Sequence, residues 1–101
     1  MNAENFSALM TKFQSATWSL IYPTNDTKTF KTRINDQVVV LYNVRDPLYI
    51  NGKKPDLSDE QTGEVMSFVT NTLLPSFESD ISDAENSEQQ ELTAAILSII
   101  E

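Results

Sequence analysis

The apolar residues at the start of the chain recur with the spacing of an amphipathic helix. They stand at i, i+3, i+4 and i+7, namely Phe6, Leu9, Met10 and Phe13. This spacing places them on one face of a helix, and Asn2 or Asn5 is positioned to cap its amino end. The chain is therefore expected to open with a short helix that offers one apolar stripe to a core.

After this segment the apolar spacing changes to the alternation of β-strands. Residues 16–22 are rich in β-forming side chains and predict a first strand. In residues 30–34, apolar or small positions alternate with Lys31 and Arg33, which predicts a half-buried strand with a basic outer face. Residues 37–44 are apolar at successive positions, so this segment is expected to form a central strand.

Two dipeptides in this region of the sequence are typical of tight turns between strands. Asn35 and Asp36 both tolerate left-handed backbone and predict a two-residue hairpin turn. Asn51 and Gly52 predict a second tight turn, after a short edge strand at 48–50. Because such short connections join antiparallel neighbours, the sheet is expected to be a meander of three or four strands.

Two further helices are predicted in the second half of the chain. Ser58 and Gln61 have the spacing of a capping box. The helix that they open is expected to end or kink before Pro75. A second capping box at 82–85 predicts another helix, with an apolar face made of Leu92, Ala95, Ile96, Ile99 and Ile100.

The order of these elements predicts an α+β fold. An N-terminal helix precedes a small antiparallel sheet of three or four strands in a meander, and two C-terminal helices pack on one face of that sheet. At 101 residues, the chain is expected to form a single domain over 1–101. Ile96, Ile99 and Ile100 either cover the core of the monomer or join two copies of the chain.

The composition excludes several classes of catalytic and metal site. The chain has no His and no Cys, so it cannot build a Ser–His–Asp triad, a Cys–His nucleophile or a thiolate or imidazole metal site. Gly52 and Gly63 are its only glycines, which excludes a glycine-rich phosphate loop. Acid/base catalysis by paired carboxylates is formally open, but the acids are expected on solvated helix faces. We therefore expect no enzyme, no metal and no cofactor.

The charges are divided unevenly along the chain. Residues 1–54 hold all seven cations and four acids, whereas residues 55–101 hold eleven acids and no cation. Such asymmetry indicates an interaction surface. The acidic half can complement the basic half within the monomer, face a basic partner, or meet the cations of the next copy in a head-to-tail homo-oligomer.

The leading hypothesis is a small non-enzymatic protein-interaction module, an adaptor or inhibitor that binds a basic protein surface. Nucleic-acid mimicry, in which acids imitate phosphates, is a narrower version of it. The acids would set the association rate and the specificity, while an apolar anchor would supply most of the affinity. The candidate partner-binding residues are Asp59, Glu60, Glu64, Glu78, Asp80, Asp83, Glu85 and Glu88.

Two alternatives come from other classes. One is a homo-oligomeric structural or assembly component, indicated by the apolar end of the last helix. The other is nucleic-acid binding by the basic residues around the predicted hairpin, which a net charge of −8 disfavours. The aromatic residues near these cations in the sequence are Phe30, Tyr42 and Tyr49, and they are expected in the core. The alternative basic face would comprise Lys28, Lys31, Arg33, Arg45, Lys53 and Lys54.

The sequence shows no targeting signal. The N-terminal residues lack the cationic and apolar regions of a signal peptide, and no apolar run approaches the ~20 residues of a membrane helix. A cytoplasmic protein without membrane association is therefore expected.

Overall fold

The N-terminal helix is formed as its apolar spacing predicts. The computed structural model describes residues 1–100. Helix α1 (Ala3–Ser15) begins after Asn2, whose side-chain oxygen accepts a hydrogen bond of 2.7 Å from the backbone N–H of Asn5. Phe6 and Phe13 are buried on the inner side of α1. The predicted stripe therefore faces the core.

The four strands form one antiparallel sheet in chain order. They are β1 (Ser19–Leu20), β2 (Thr29–Ile34), β3 (Gln37–Tyr42) and β4 (Leu48–Ile50). The α+β fold and the predicted meander are thus confirmed, with β3 as a central strand between β2 and β4.

The first strand is shorter than the sequence predicts. Only two residues of the predicted 16–22 segment pair with β2. Trp18 instead packs into the core, where its indole N–H donates a 2.9 Å hydrogen bond to the carbonyl oxygen of Phe13. Tyr22 is exposed at the start of the following turn. Of this predicted strand, therefore, only Ser19 and Leu20 join the sheet, and the other β-forming residues lie in the segments that lead into and out of it.

Both predicted tight turns have the left-handed backbone that their residues favour. Asn35 and Asp36 have φ values of 50° and 64°, and Asn51 and Gly52 have values of 53° and 78°. Positive φ at both central residues is the requirement of a type I′ hairpin turn. The side-chain oxygen of Asn51 also accepts a 2.9 Å hydrogen bond from the N–H of Val38, which ties this turn to β3.

The capping box at Ser58 starts the second helix. In α2 (Asp59–Phe68), the Ser58 hydroxyl accepts from the N–H of Gln61 at 3.1 Å, and the Gln61 side chain accepts from the N–H of Ser58 at 3.0 Å. Two backbone donors at the helix start are therefore satisfied reciprocally.

A π turn follows α2 and accommodates Pro75. It spans Val69–Leu73, and the N–H of Leu74 donates to the carbonyl of Val69, five residues earlier. A short helix α3 (Leu74–Ser76) continues the path with the proline in its first turn. Because proline has no N–H and crowds the preceding turn of an α-helix, the wider π turn is a physical solution to the predicted kink.

The last helix starts earlier than predicted. Helix α4 spans Glu78–Ile100, so the capping-box prediction at 82–85 is wrong. Phe77 leaves helical geometry, with φ −109° and ψ 11°, and its carbonyl accepts from the N–H of Ile81 at 2.9 Å. The first turn of α4 is therefore complete before Ser82, which lies inside the helix.

The core lies between one face of the sheet and the helices α1 and α2. Phe13, Trp18 and Phe68 form an aromatic cluster with ring centroids 5.5–6.2 Å apart. Phe30 and Leu41 are paired across β2 and β3 and are fully buried. Further buried apolar residues complete this cluster, namely Phe6, Val39, Leu48, Val65, Val69 and Leu73.

Helix α4 extends away from this core. The structure measures 63 × 23 × 23 Å, with a radius of gyration of 16.9 Å, against about 13 Å for a compact chain of this length. A helix of 23 residues is about 35 Å long. No residue of α4 is buried. The expected packing of the second C-terminal helix on the sheet is therefore not seen.

Candidate functional site

The carboxyl end of α4 exposes large apolar side chains. All residues from 85 to 100 are exposed. The expectation that the isoleucines cover the core of the monomer is wrong, because α4 turns away from the sheet at Phe77. Five side chains keep about half or more of their surface open to solvent: Leu92 (53%), Ile96 (49%), Leu97 (51%), Ile99 (82%) and Ile100 (71%).

The structure divides the eight candidate acids between two helices. Asp59, Glu60 and Glu64 lie on α2, where the first two occupy its first turn and suit the positive end of the helix dipole. The other five lie on α4, beyond the π turn and α3. All eight are exposed. The candidates therefore form two groups rather than one continuous site, and the group on α4 is the larger: Glu78, Asp80, Asp83, Glu85 and Glu88.

Acidic and apolar side chains share one face of α4. At 100° per residue, six residues with the spacing i, i+4, i+7, i+11, i+15 and i+18 lie within an arc of roughly 80°. We call them the α4 stripe: Ile81, Glu85, Glu88, Leu92, Ile96 and Ile99. Asp80, Asp83 and Leu97 lie outside this arc. After Ile81, the stripe thus has an acidic half, Glu85 and Glu88, and then an apolar half from Leu92 onward.

In the part of the chain that the structure describes, no cation forms an ion pair with an acid of α2 or α4. Over residues 1–100, one ion pair is formed, between Lys54 Nζ and Asp46 Oδ1 at 3.4 Å. Both partners belong to the first half of the chain. Internal neutralisation of the acidic half by ion pairs is therefore not what the described residues show.

Only some of the candidate basic residues lie on the face of the sheet that is opposite the core. Lys31 and Arg33 are exposed on β2, on the face opposite the core. The Lys28 ammonium is held by its own loop, donating to the carbonyl of Pro23 at 2.8 Å. Lys53 follows the Asn51-Gly52 turn, and Lys54 is the partner of Asp46.

Tyrosine and valine side chains occupy the middle of the face that is opposite the core. Lys31 pairs with Val40, which pairs with Tyr49, and Arg33 pairs with Val38. The rings of Tyr42 and Tyr49 meet edge to face, 5.4 Å apart. We call this surface the outer face of the sheet: Lys31, Arg33, Val38, Val40, Tyr42 and Tyr49.

The expected core position of the aromatic residues holds for one of three. Phe30 is fully buried and packs against Phe77, with the two ring centroids 5.6 Å apart. Tyr42 and Tyr49 are half-buried on the outer face, beside Arg45 in a shallow depression. The alternation of Phe30, Thr32 and Ile34 with Lys31 and Arg33 in β2, carried across the register to β3 and β4, is the signal that separates these faces.

The site offers oxygen atoms but no convergent ligand set. Over residues 1–100, no group of three acids could hold a metal ion. Asp46 and Asp56 line one depression together with Lys54, but both carboxylates are exposed and one is in the ion pair. None of the described helices combines the length and the apolar character needed to cross a bilayer.

No protein-family model, curated protein or solved structure matches the chain. The α4 stripe and the outer face of the sheet are therefore the surfaces from which the function of the chain is inferred.

Proposed function

We propose that this chain is a non-enzymatic protein-interaction module in which the α4 stripe binds a basic surface of a partner protein. The observation that carries this proposal is the exposure of Leu92, Ile96 and Ile99 on the same face as Glu85 and Glu88. An exposed apolar patch bordered by charge is typical of an interaction site.

The two halves of the stripe have separate roles in this proposal. Burial of a leucine or isoleucine side chain contributes about 1.5–3 kcal/mol, so the apolar half supplies most of the affinity. The carboxylates of Glu85 and Glu88 lie in high dielectric and contribute mainly to the association rate and to the choice of partner. A nucleic-acid-binding protein is one class of protein with a basic surface of this kind.

Pull-down with the immobilised full chain tests the acidic half. We expect partners to be retained at low salt and released as salt rises, because screening shortens the range of the field. Glu85→Lys with Glu88→Lys should abolish retention. Asp80→Lys with Asp83→Lys is the matched control, since it changes the net charge equally outside the stripe and should retain the partners.

A single-residue comparison tests the apolar half. Leu92 and Leu97 are the same residue type with nearly equal exposure, 53% and 51%, but only Leu92 lies in the stripe. Leu92→Ser should release the partner at every salt concentration, whereas Leu97→Ser should retain it. Equal retention by all four variants, or no retained protein at all, would contradict the proposed function.

A further inference from the structure

The helices leave the outer face of the sheet without a covering layer. The core cluster takes in Phe30, Val39 and Leu41 from the inner face together with α1 and α2. On the outer face, Val38 and Val40 of β3 are only half-buried, while Lys31 on β2 is exposed. An antiparallel sheet can keep one face in solvent, but that face is then usually polar. Here its middle is apolar and aromatic, with cations along one side.

The outer face and the α4 stripe have opposite charge and similar size. Six-residue strands are about 20 Å long, and four strands are roughly 15 Å across. The sixteen residues 85–100 of α4 span about 24 Å. The stripe has two carboxylates followed by apolar side chains, and the outer face has Lys31 and Arg33 beside Val40 and Tyr49.

The same chain does not bring these two surfaces together. Phe77, where α4 begins to diverge, contacts Phe30 on the inner, helix-covered side of the sheet. Helix α4 then extends along the 63 Å axis of the structure with no buried residue. Its stripe would have to pass around a sheet edge to reach the outer face of its own copy.

We propose that the basic surface bound by the α4 stripe is the outer face of the sheet in a second copy of this chain. This inference rests on the proposed function, since it names the partner of the same stripe. Glu85 and Glu88 of one copy lie beside Lys31 and Arg33 of the other, and Leu92, Ile96 and Ile99 cover the valines and tyrosines. Each copy carries both halves of the contact, so association is head-to-tail or reciprocal.

Charge reversal on each side tests the contact in the full chain. Mass measured by light scattering should exceed the 11.4 kDa of one chain as concentration rises. Lys31→Glu with Arg33→Glu, and separately Glu85→Lys with Glu88→Lys, should each weaken self-association by at least roughly tenfold. An equimolar mixture of the two variants should restore it, because either stripe then meets an outer face of opposite charge.

Control variants keep the test independent of folding. Asp80→Lys with Asp83→Lys should weaken association much less than Glu85→Lys with Glu88→Lys does, because both carboxylates lie outside the stripe. Lys31→Ser with Arg33→Ser removes the cations without adding acids, and it should weaken association as well. Far-ultraviolet circular dichroism verifies that each variant is folded. A strict monomer at high concentration, or association that neither reversal affects, would overturn the inference.

The outcomes also separate this inference from the proposed function. If the chain is monomeric but stripe variants still lose another protein in the pull-down, the second copy is wrong and the interaction module stands. If single-stranded oligonucleotide binds and Lys31→Glu with Arg33→Glu abolishes that binding in a monomeric chain, the outer face is a nucleic-acid site and the inference is overturned.

Discussion

Removal of the exposed part of α4 should leave the stability of the folded core unchanged. A chain that ends after Ala84 lacks every residue from 85 onward, and none of residues 85–100 is buried. Changes at exposed positions alter the free energy of unfolding by about 0.5 kcal/mol or less. We therefore expect the truncated chain and the full chain to unfold at the same urea concentration.

If α4 packed on the core instead, the loss in free energy of unfolding on truncation could be calculated. If Leu92, Ile96 and Ile99 packed on the sheet of their own copy, each would contribute about 1.5–3 kcal/mol. Their removal would then lower the free energy of unfolding by roughly 5–9 kcal/mol, which is most of the stability of a small domain. The two alternatives differ by an amount far above the error of a denaturation curve.

Urea titration at low protein concentration measures this difference. The fluorescence of Trp18 reports on the core, because its ring packs against Phe13 and Phe68. Low concentration matters because binding of a second copy would stabilise the full chain by mass action. A loss of about 2 kcal/mol or more on truncation at low concentration would refute the description of α4 as a helix outside the core.

Three point substitutions test the fold itself, each by urea denaturation followed by circular dichroism. Phe13→Ala removes a fully buried ring and should lower the free energy of unfolding by about 3–5 kcal/mol; a loss under about 1 kcal/mol would contradict that burial. Ser58→Ala removes the cap of α2 and should cost about 1 kcal/mol, and an unchanged midpoint would contradict the capping box. Asn51→Ala places alanine at a φ of 53° and removes the hydrogen bond to Val38, so we expect a loss of about 2 kcal/mol. Asn51→Gly keeps the backbone conformation and should lose less than Asn51→Ala.

Local chemistry made much of the fold predictable. The backbone preferences of Asn35 and Asp36 determine a hairpin turn, and the turn determines the register of β2 and β3. The reciprocal hydrogen bonds of Ser58 and Gln61 are possible only at a helix start. Each of these features depends on a few consecutive residues, so the sequence contains the whole interaction.

The position of α4 depends on information that the sequence pattern lacks. A stripe of apolar residues shows that a helix has a face to bury, but it does not show which surface buries it. Ser82 and Glu85 have the residue types of a capping box, yet the backbone at Phe77 had already started the helix. Pro75 indicates a kink before α4, but no local motif indicates the contact of Phe77 with Phe30, from which α4 starts.

The candidate site was predictable in part. The separation of cations from acids along the chain follows from the order of residues, and in residues 1–100 no ion pair links the cations to the acids of α2 or α4. The sharing of one face by Glu85, Glu88 and Leu92 could also have been found, because their spacing of three and four residues is in the sequence. The outer face required the pairing of Lys31 with Val40 and of Val40 with Tyr49, which only the complete sheet provides.

The π turn also explains an unusual spacing of the core-facing residues along α2, the π turn and α3. Val65, Val69, Leu73 and Phe77 are four residues apart, and in an uninterrupted α-helix each such step drifts about 40° around the axis. The wider turn at Val69–Leu73 reverses part of that drift. Deletion of one exposed threonine within it would restore ordinary winding, and three steps of about 100° would then lead from Val69 to Leu73, which leaves Leu73 and Phe77 close to their present directions. The loss of one residue at this turn can thus be compensated by tighter winding, whereas the same loss in an ordinary stretch of α-helix would rotate everything downstream by about 100°.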